Sequence, residues 1–187
     1  MEQLLSLLKT IPEYKSAVAA LANKESIAIT GIGQINRSHM IAGLRRDTSA
    51  PIVVICQDEM AAKKMQEELK AFLDDTAPVL PSRELTLYDS AVVSRSWEQK
   101  RLRQLYDLDQ GHTRLQIMSY EALSMRTMPP QVLRKAAFTL SVGKEYIMDR
   151  LTELLTGAGY TRCAMVEGPG QFAIRGGIVD IYSPAAD

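Results

Sequence analysis

The chain has 187 residues, of which 46% are hydrophobic and 24% charged, and its 22 basic residues balance its 22 acidic residues. This composition is typical of a folded globular protein, and the neutral balance excludes the strongly basic surface of an ordinary nucleic-acid-binding domain. No run approaches the roughly 18 apolar residues of a membrane-spanning helix, and the first residues lack the basic region of a signal peptide, so we expect a cytoplasmic protein with no membrane partner.

Apolar residues recur at helical spacing or in short β-branched runs through the first two thirds of the chain, and the two patterns alternate. Such alternation predicts right-handed crossovers between parallel strands, and therefore an α/β domain at residues 1–124. The predicted elements, in chain order, are a helix at Leu4–Leu8, a helix that opens at Pro12, a strand at Ser26–Thr30, a helix at Arg37–Leu44, a strand at Pro51–Cys56, a helix from Asp58 to about Leu73, a strand at Val79–Leu80, a helix from Ser96 or Trp97 to Leu108, a strand at Leu115–Met118 and a helical turn at Tyr120–Met125.

The strand at 51–56 reads PIVVIC and is nearly continuous in apolar residues. Runs of this kind are typical of parallel strands that are covered on both faces. Its cysteine, Cys56, and the second cysteine, Cys163, have no Cys or His at metal-ligand spacing. We therefore expect two reduced thiols and no metal site.

The order of elements changes after Pro129-Pro130, a pair that cannot continue a helix or an inner strand. Strands then follow one another without helices between them, which predicts a small α+β domain at residues 125–187. Its predicted elements are a strand at Phe138–Val142, a helix at Glu145–Thr156, and strands at Gln171–Ile174 and Ile178–Tyr182 joined by a hairpin turn at Gly176-Gly177.

Residues from Gly31 to Ser38 occupy the place of a phosphate-binding loop, between a predicted strand and a predicted helix. A working loop needs glycines whose N–H groups surround phosphate, a Lys that reaches the β- and γ-phosphates, and a hydroxyl for Mg²⁺. Here Asn36 stands at the second glycine position and Arg37 at the Lys position, while Ser38 keeps the hydroxyl. The Cβ of Asn36 crowds the anion nest, and the broad guanidinium of Arg37 does not replace a compact ammonium.

Three interpretations of this loop are a relic that binds no nucleotide, a weak anion site and a real ATP site, and the altered residues favour the relic. An ordinary strand–turn–helix in which Gly31 and Gly33 only serve the turn fits the same residues. The acidic pair Asp58-Glu59 follows too soon after the turn to hold Mg²⁺ and is typical of a helix cap. We therefore predict a RecA-like parallel-sheet domain with a degenerate P-loop and no catalysis.

Several short motifs, in a fixed order, resemble the family of UvrB and the transcription-repair coupling factors. Tyr160 to Pro184 (YTRCAMVEGPGQFAIRGGIVDIYSP) resembles the small domain of that family. Pro81 to Asp89 (PSRELTLYD) is similar to its Pro-x-x-Glu…Tyr-Asp element, and Arg101 to Leu105 (RLRQL) resembles its Arg-Leu-Arg-x-Leu helix. Each motif is short, and their order carries the resemblance over residues 26–184.

The resemblance implies that the C-terminal hairpin docks the damage-recognition protein UvrA. Two departures from UvrB point to the coupling factors. The phosphate loop is altered, whereas UvrB needs ATP, and the 11 residues at Ser90–Lys100 are too few for the long damage-probing hairpin of UvrB. The chain thus resembles the N-terminal UvrB-homology module of a coupling factor (Mfd), a longer ATP-dependent DNA translocase that contacts RNA polymerase and DNA through its other parts.

Arg162 and Arg175, at the start and the turn of the hairpin segment, are the predicted UvrA-docking residues. Arginine forms bidentate pairs with carboxylates and is enriched at interface hot spots, although ordinary surface charge is the alternative for both. Phe172 lies between them and is either an apolar anchor for UvrA or a core residue, since alternation alone leaves both orientations open.

The leading functional hypothesis is a binding module with no catalysis and no cofactor of its own, which recruits UvrA to RNA polymerase stalled at DNA damage by imitating UvrB. The alternative is a nucleotide-dependent, UvrB-like DNA helicase fragment. A DNA-binding structural domain is a third hypothesis, and the neutral charge balance argues against it.

Overall fold

The computed structural model describes residues 2–74, 77–82 and 96–184. They divide into two compact units, one of residues up to 82 together with 110–125, and another of residues 96–109 together with 126–184. The division into domains at 1–124 and 125–187 stays a prediction. The elements are α1 (Glu2–Leu7) with a 3-10 turn (Leu8–Thr10), α2 (Pro12–Ala22), α3 (Gln34–Asp47), β1 (Ile52–Cys56), α4 (Glu59–Lys70), β2 (Val79–Leu80), α5 (Ser96–Asp109), β3 (Leu115–Ser119), α6 (Tyr120–Ser124), α7 (Pro130–Ala136), α8 (Met148–Gly157), β4 (Thr161–Arg162), β5 (Gln171–Arg175) and β6 (Ile178–Tyr182).

Local chemistry sets the ends of several helices in the first unit, and the starts at Pro12 and Asp58 were predicted. Pro12 occupies the first position of α2, where its missing N–H is not needed. Asp58 caps α4, because its carboxylate accepts a hydrogen bond from the Ala61 N–H at 2.7 Å. The Ser119 hydroxyl accepts from the Ala122 N–H at 3.0 Å, which starts α6 directly after β3.

A three-stranded parallel sheet in the order β1-β3-β2 forms the centre of the first unit. β3 is the middle strand and is buried along its whole length. Its Ile117 packs in a core with Ala42 of α3 and with Ala62 and Leu69 of α4. Parallel strands joined through helices confirm the α/β class predicted for this part of the chain.

The prediction that the strand at 51–56 is covered on both faces is wrong. Ile52 and Val54 face the core, whereas Val53 and Ile55 are 45% and 53% exposed. β1 is an outer strand of the sheet, and an outer strand has fewer neighbours than a central one. A continuous apolar run at such a position therefore does not report burial on both faces.

Two predicted strands, Ser26–Thr30 and Phe138–Val142, are also wrong, because neither segment has regular secondary structure. Alternating apolar residues form a strand only where a neighbouring strand takes their backbone hydrogen bonds. The first segment is exposed along its whole length. In the second, the backbone is held locally, since the Ser141 N–H donates to the Tyr146 hydroxyl at 2.8 Å.

A separate mixed sheet in the order β4-β5-β6 forms the second unit, with β4 parallel to β5 and β5 antiparallel to β6. Leu151 and Leu155 of α8 are buried against Phe172 of β5. The proline pair that was predicted only as a break also starts α7, since Pro130 occupies its first turn. Two helices followed by three strands, the last two of which form a hairpin, agree with the predicted α+β character, although the strand expected before α8 is missing.

A network of charges joins the end of α3 to the N-terminal helices. Asp47 is nearly buried and accepts hydrogen bonds from Arg46 Nε at 2.8 Å and from the Tyr14 hydroxyl at 3.0 Å, while Lys9 Nζ lies 3.2 Å away. The hydrogen bond from Arg46 is the main reason that the pKa of Asp47 falls to about 2. Burial opposes this shift, and the bonds from Tyr14 and Lys9 support it.

We expect Asp47→Asn to lower the free energy of unfolding by about 1–2 kcal/mol at neutral pH. A carboxylate whose pKa is lower in the folded chain stabilises above its unfolded pKa, about 3.9, and loses this contribution as the pH falls toward 2. Urea unfolding should therefore show a difference between the two chains that is full at neutral pH and shrinks below about pH 4. Glu67→Gln, which removes an exposed ion pair with Lys70, is the control and should change stability by less than about 0.5 kcal/mol. A difference that is independent of pH would contradict the role of Asp47.

Candidate functional site

The C-terminal hairpin, which the sequence predicts, turns through two glycines. Gly176 has a φ of +60°, whereas Gly177 does not adopt a positive φ, so only the first turn position uses the conformational freedom of glycine. This is the pattern of a type II′ turn, which matches the twist of the flanking strands. The pairing runs from Arg175 opposite Ile178 at the turn to the far ends of β5 and β6. This register fixes which side chains share a face.

One face of the hairpin packs in the core, and the other is exposed near the turn and at Tyr182, although Ala173 on that second face is buried. Phe172 and Ile174 of β5 lie in the core together with Val179 and Ile181 of β6. The alternate residues point to the opposite face, because successive side chains of a strand alternate. We call this the open face and define it by Arg175, Ile178, Asp180 and Tyr182.

The open face combines a cation with exposed apolar side chains. Ile178 and Tyr182 are 66% and 46% exposed. Between them, Asp180 accepts a hydrogen bond from Arg175 Nη2 at 2.6 Å, and both side chains of this ion pair are exposed. An exposed pair of this kind contributes little to stability. The guanidinium carries five N–H donors, so one carboxylate oxygen leaves other donors for a partner carboxylate.

Arg162 does not belong to the open face. It lies beside Phe172 in the parallel register of β4 and β5, and residues paired in this way point to the same side of the sheet. Arg162 is exposed because β4 is an outer strand. Arg175 points the other way and lies three residues further along β5, about 10 Å. The two predicted docking arginines are therefore in one small sheet but not in one patch.

Phe172 is 0% exposed and packs against Leu151 and Leu155. Its prediction as an apolar anchor for a partner is corrected, because a side chain without exposed surface cannot contact a second protein. The exposed apolar residues of the hairpin, Ile178 and Tyr182, were missed by the sequence reasoning. Counting alternate positions across the two-residue turn from Arg175 identifies both, since Arg175 and Ile178 are paired.

The two glycines at the phosphate-loop position, Gly31 and Gly33, lie in the turn that leads into α3. Gly31 has a φ of +76°, which favours glycine, and Gly33 precedes the first residue of α3. α3 begins at Gln34, earlier than the predicted helix at 37–44. As a result Asn36 is in the first turn of the helix and is exposed. The strand that would precede a RecA-like phosphate loop is missing at residues 26–30, as described above.

The other two loop residues point in different directions. Arg37 is exposed, whereas Ser38 is fully buried on the side of α3 that faces α4. The Ser38 hydroxyl donates to a carboxylate oxygen of Glu68, and the sulfur of Met65 lies 3.5 Å away. The hydroxyl that a nucleotide site would offer to Mg²⁺ is thus engaged inside the first unit.

The motif at 81–89 and the segment at 90–100 are only partly within the described residues. The Tyr-Asp end of the element at 81–89, and most of the segment at 90–100, lie outside the described residues. Ser82, which is described, donates its hydroxyl hydrogen bond to Glu59 at 2.8 Å. Arg101 of the RLRQL helix is buried, which lowers the pKa of its guanidinium by desolvation.

In the described part of the chain, no helix has the length and apolar character needed to cross a membrane.

The hairpin lies in a part of the chain that matches a known protein family. The family described as the UvrB interaction domain matches residues 138–187. The chain is 30% identical over 185 residues, 97% of its length, to a transcription-repair-coupling factor of Bacillus subtilis (strain 168). It is also 30% identical over 183 residues, 93% of its length, to one of Myxococcus xanthus, and 26% identical over 155 residues, 82% of its length, to one of Staphylococcus aureus (strain USA300). These matches cover 16%, 15% and 13% of the relatives, so the chain spans about one sixth of their length at most.

Proposed function

The chain is homologous to a segment of the transcription-repair-coupling factors, and on this premise we propose that it is the N-terminal module of such a factor. The module binds UvrA and so recruits it to RNA polymerase stalled at DNA damage, in the cytoplasm. Residues 125–187 form its UvrA-binding domain, and residues 1–124 form a UvrB-like α/β domain. RNA polymerase and DNA are contacted by other parts of a coupling factor.

The observation that carries this proposal is the open face of the hairpin. It lies within the residues that match the UvrB interaction domain, and it presents Arg175 on the same face as the exposed side chains of Ile178 and Tyr182. Arginine and tyrosine are enriched at interface hot spots, where they make most of the binding energy. Asp180 holds the guanidinium of Arg175 close to the sheet, which reduces the freedom that the side chain loses on binding.

Calorimetry of the 187-residue chain with UvrA tests the proposal. We expect saturable binding, and a chain that keeps its melting transition but gives no heat with UvrA would overturn it. Salt dependence adds a second readout, since contacts of an exposed arginine weaken as ionic strength rises.

The module imitates UvrB in docking and has no catalysis of its own. This part of the proposal is supported by the altered loop, in which Asn36 and Arg37 stand at the glycine and lysine positions of a phosphate-binding loop and the Ser38 hydroxyl donates to Glu68. A buried serine that already donates to a carboxylate does not coordinate Mg²⁺ without repacking α3 against α4.

We expect millimolar ATP with Mg²⁺ to leave the melting temperature unchanged. A ligand present at about one hundred times its Kd would stabilise the chain by about 2.7 kcal/mol, a shift of several degrees that a thermal melt detects. Ser38→Ala is the matched variant, and it should lower the melting temperature equally with and without nucleotide. A saturable rise with ATP that Arg37→Ala weakens would instead support the alternative, a nucleotide-dependent UvrB-like helicase fragment.

A further inference from the structure

Two helices of the second unit, α7 and α8, line a groove of about 460 Å³. Its apolar side chains include Val132, Phe138 and Leu154, which are 49%, 36% and 45% exposed. Leu154 lies beside Leu155, which is buried in the core of the unit, so α8 has one apolar side in the core and another in the groove. Apolar side chains that are exposed next to one another mark an interaction site.

Both walls of the groove are held by contacts elsewhere in the unit. Arg134 of α7 donates from Nε and Nη2 to the two carboxylate oxygens of Asp109 at 2.7 and 2.6 Å, which ties α7 to α5. Leu151 and Leu155 of α8 are buried against Phe172 of the hairpin. The groove is therefore formed in the free chain, and a pre-formed site loses less free energy to ordering when a ligand binds.

Three charged side chains line the groove, namely Lys135 on α7 and Arg150 and Glu153 on α8. All three are exposed, and none has an ion pair or a side-chain hydrogen bond to any residue that the structure describes. Two cations against one carboxylate give the groove a surplus of positive charge. Since Arg134 is already engaged by Asp109, the cations available to a ligand are Lys135 and Arg150.

The residues that line the groove are spaced as on one side of each helix. Val132 and Lys135 are three positions apart on α7, and Arg150, Leu154 and Gly157 are at i, i+4 and i+7 on α8. Gly157 does not adopt a positive φ, and a Cβ built there would meet no heavy atom within 4 Å, so the groove is open at this position. The side of a third helix fits between two such rows, as in other grooves that bind amphipathic helices.

We propose that this groove binds an amphipathic helix of a partner protein, and that acidic residues of that helix lie beside its apolar side chains. The apolar side chains pack on Val132, Phe138 and Leu154. The acidic side chains face Lys135 and Arg150, one on each wall, and the guanidinium is suited to a carboxylate. Complementary charge selects acidic helices over basic ones. No groove residue belongs to the hairpin, so this site is additional to the open face.

Fluorescence anisotropy of the 187-residue chain with two labelled helical peptides tests the groove. Both peptides have leucines at i, i+4 and i+7, and the glutamates beside the leucines of the first are lysines in the second. We expect the glutamate peptide to bind at least about tenfold more tightly than the lysine peptide, and Lys135→Glu/Arg150→Glu to reverse this preference. Lys144→Glu is the matched control, because it makes the same charge change at an exposed lysine outside the groove, and it should leave both affinities unchanged.

A second variant fills the groove without removing any contact. Leucine in place of Gly157 has space for its side chain and a higher helix propensity than glycine, so Gly157→Leu should not lower the melting temperature. It should weaken the glutamate peptide by about tenfold or more, because its side chain occupies the place of a leucine of the peptide.

The opposite results would overturn the proposal. Absence of saturable binding, equal binding of the two peptides, or a preference that Lys135→Glu/Arg150→Glu does not change would each remove the acidic helix as the ligand. Binding that Gly157→Leu leaves intact would place the peptide elsewhere on the chain. A dimer in sedimentation that Gly157→Leu dissociates would assign the groove to a second copy of the chain. UvrA is absent from these measurements, so they do not depend on whether the open face binds it.

Discussion

Alanine in place of Arg175 is expected to weaken the binding of UvrA by about 2 kcal/mol, roughly thirtyfold in Kd. The guanidinium lies on the open face, keeps most of its donors for a partner, and shares that face with the exposed side chains of Ile178 and Tyr182. Its ion pair with Asp180 is exposed, so the substitution should change the melting temperature little. Calorimetry for binding and a thermal melt for folding measure the two effects separately.

Arg175→Lys and Arg162→Ala are the matched variants for this prediction. Lysine keeps the charge but not the planar fork, so Arg175→Lys should fall between the wild type and Arg175→Ala. Arg162 points from the opposite face, so a partner that covers only the open face leaves Arg162→Ala within about twofold of the wild type. If UvrA wraps around the sheet, the two losses add in the double variant. Binding that is unchanged in Arg162→Ala/Arg175→Ala would remove both residues from the interface.

The hairpin was predictable from the sequence because its determinants are local. A Gly-Gly pair between a short alternating run (QFAIR) and a β-branched run (IVDIY) specifies the turn, and the turn specifies the pairing of Arg175 with Ile178. Caps such as Asp58 are equally local. The strand expected at 26–30 depends instead on a partner strand, which no pattern within the segment reveals.

The direction of the Ser38 side chain could not be predicted from the sequence, for a related reason. The pattern from Gly31 to Ser38 counts residues along the chain, whereas the direction of the Ser38 hydroxyl depends on Glu68, 30 residues away on α4. The start of α3 at Gln34 also changes which residues lie in its first turn. Helix boundaries follow from cap geometry and tertiary packing together, so a spacing rule fixes them only approximately.

Phe172→Ala is expected to have the largest effect on stability, lowering the free energy of unfolding of the second unit by about 3–5 kcal/mol. The ring is 0% exposed and packs between Leu151 and Leu155 of α8 and the core face of the hairpin. Domains have only about 5–15 kcal/mol of stability, so such a loss removes much of it. Urea unfolding followed by circular dichroism measures the change, and Phe172→Leu, which refills most of the space, should recover most of the loss.

The contrast with Tyr182→Ala separates a core role from a contact role on the same hairpin. Tyr182 is aromatic and exposed on the open face, so its removal should weaken UvrA binding while the unfolding curve stays nearly unchanged. Phe172→Ala should mainly lower the stability of the second unit. Its binding of UvrA should fall only in proportion to the fraction of chains in which the hairpin is unfolded. Lowering the temperature should therefore restore part of the binding. A Phe172→Ala chain that stays fully folded and yet binds UvrA weakly would place the ring at the interface and contradict its assignment to the core. The two phenotypes therefore have to be opposite, because alternate residues of one strand pair serve opposite faces of the sheet.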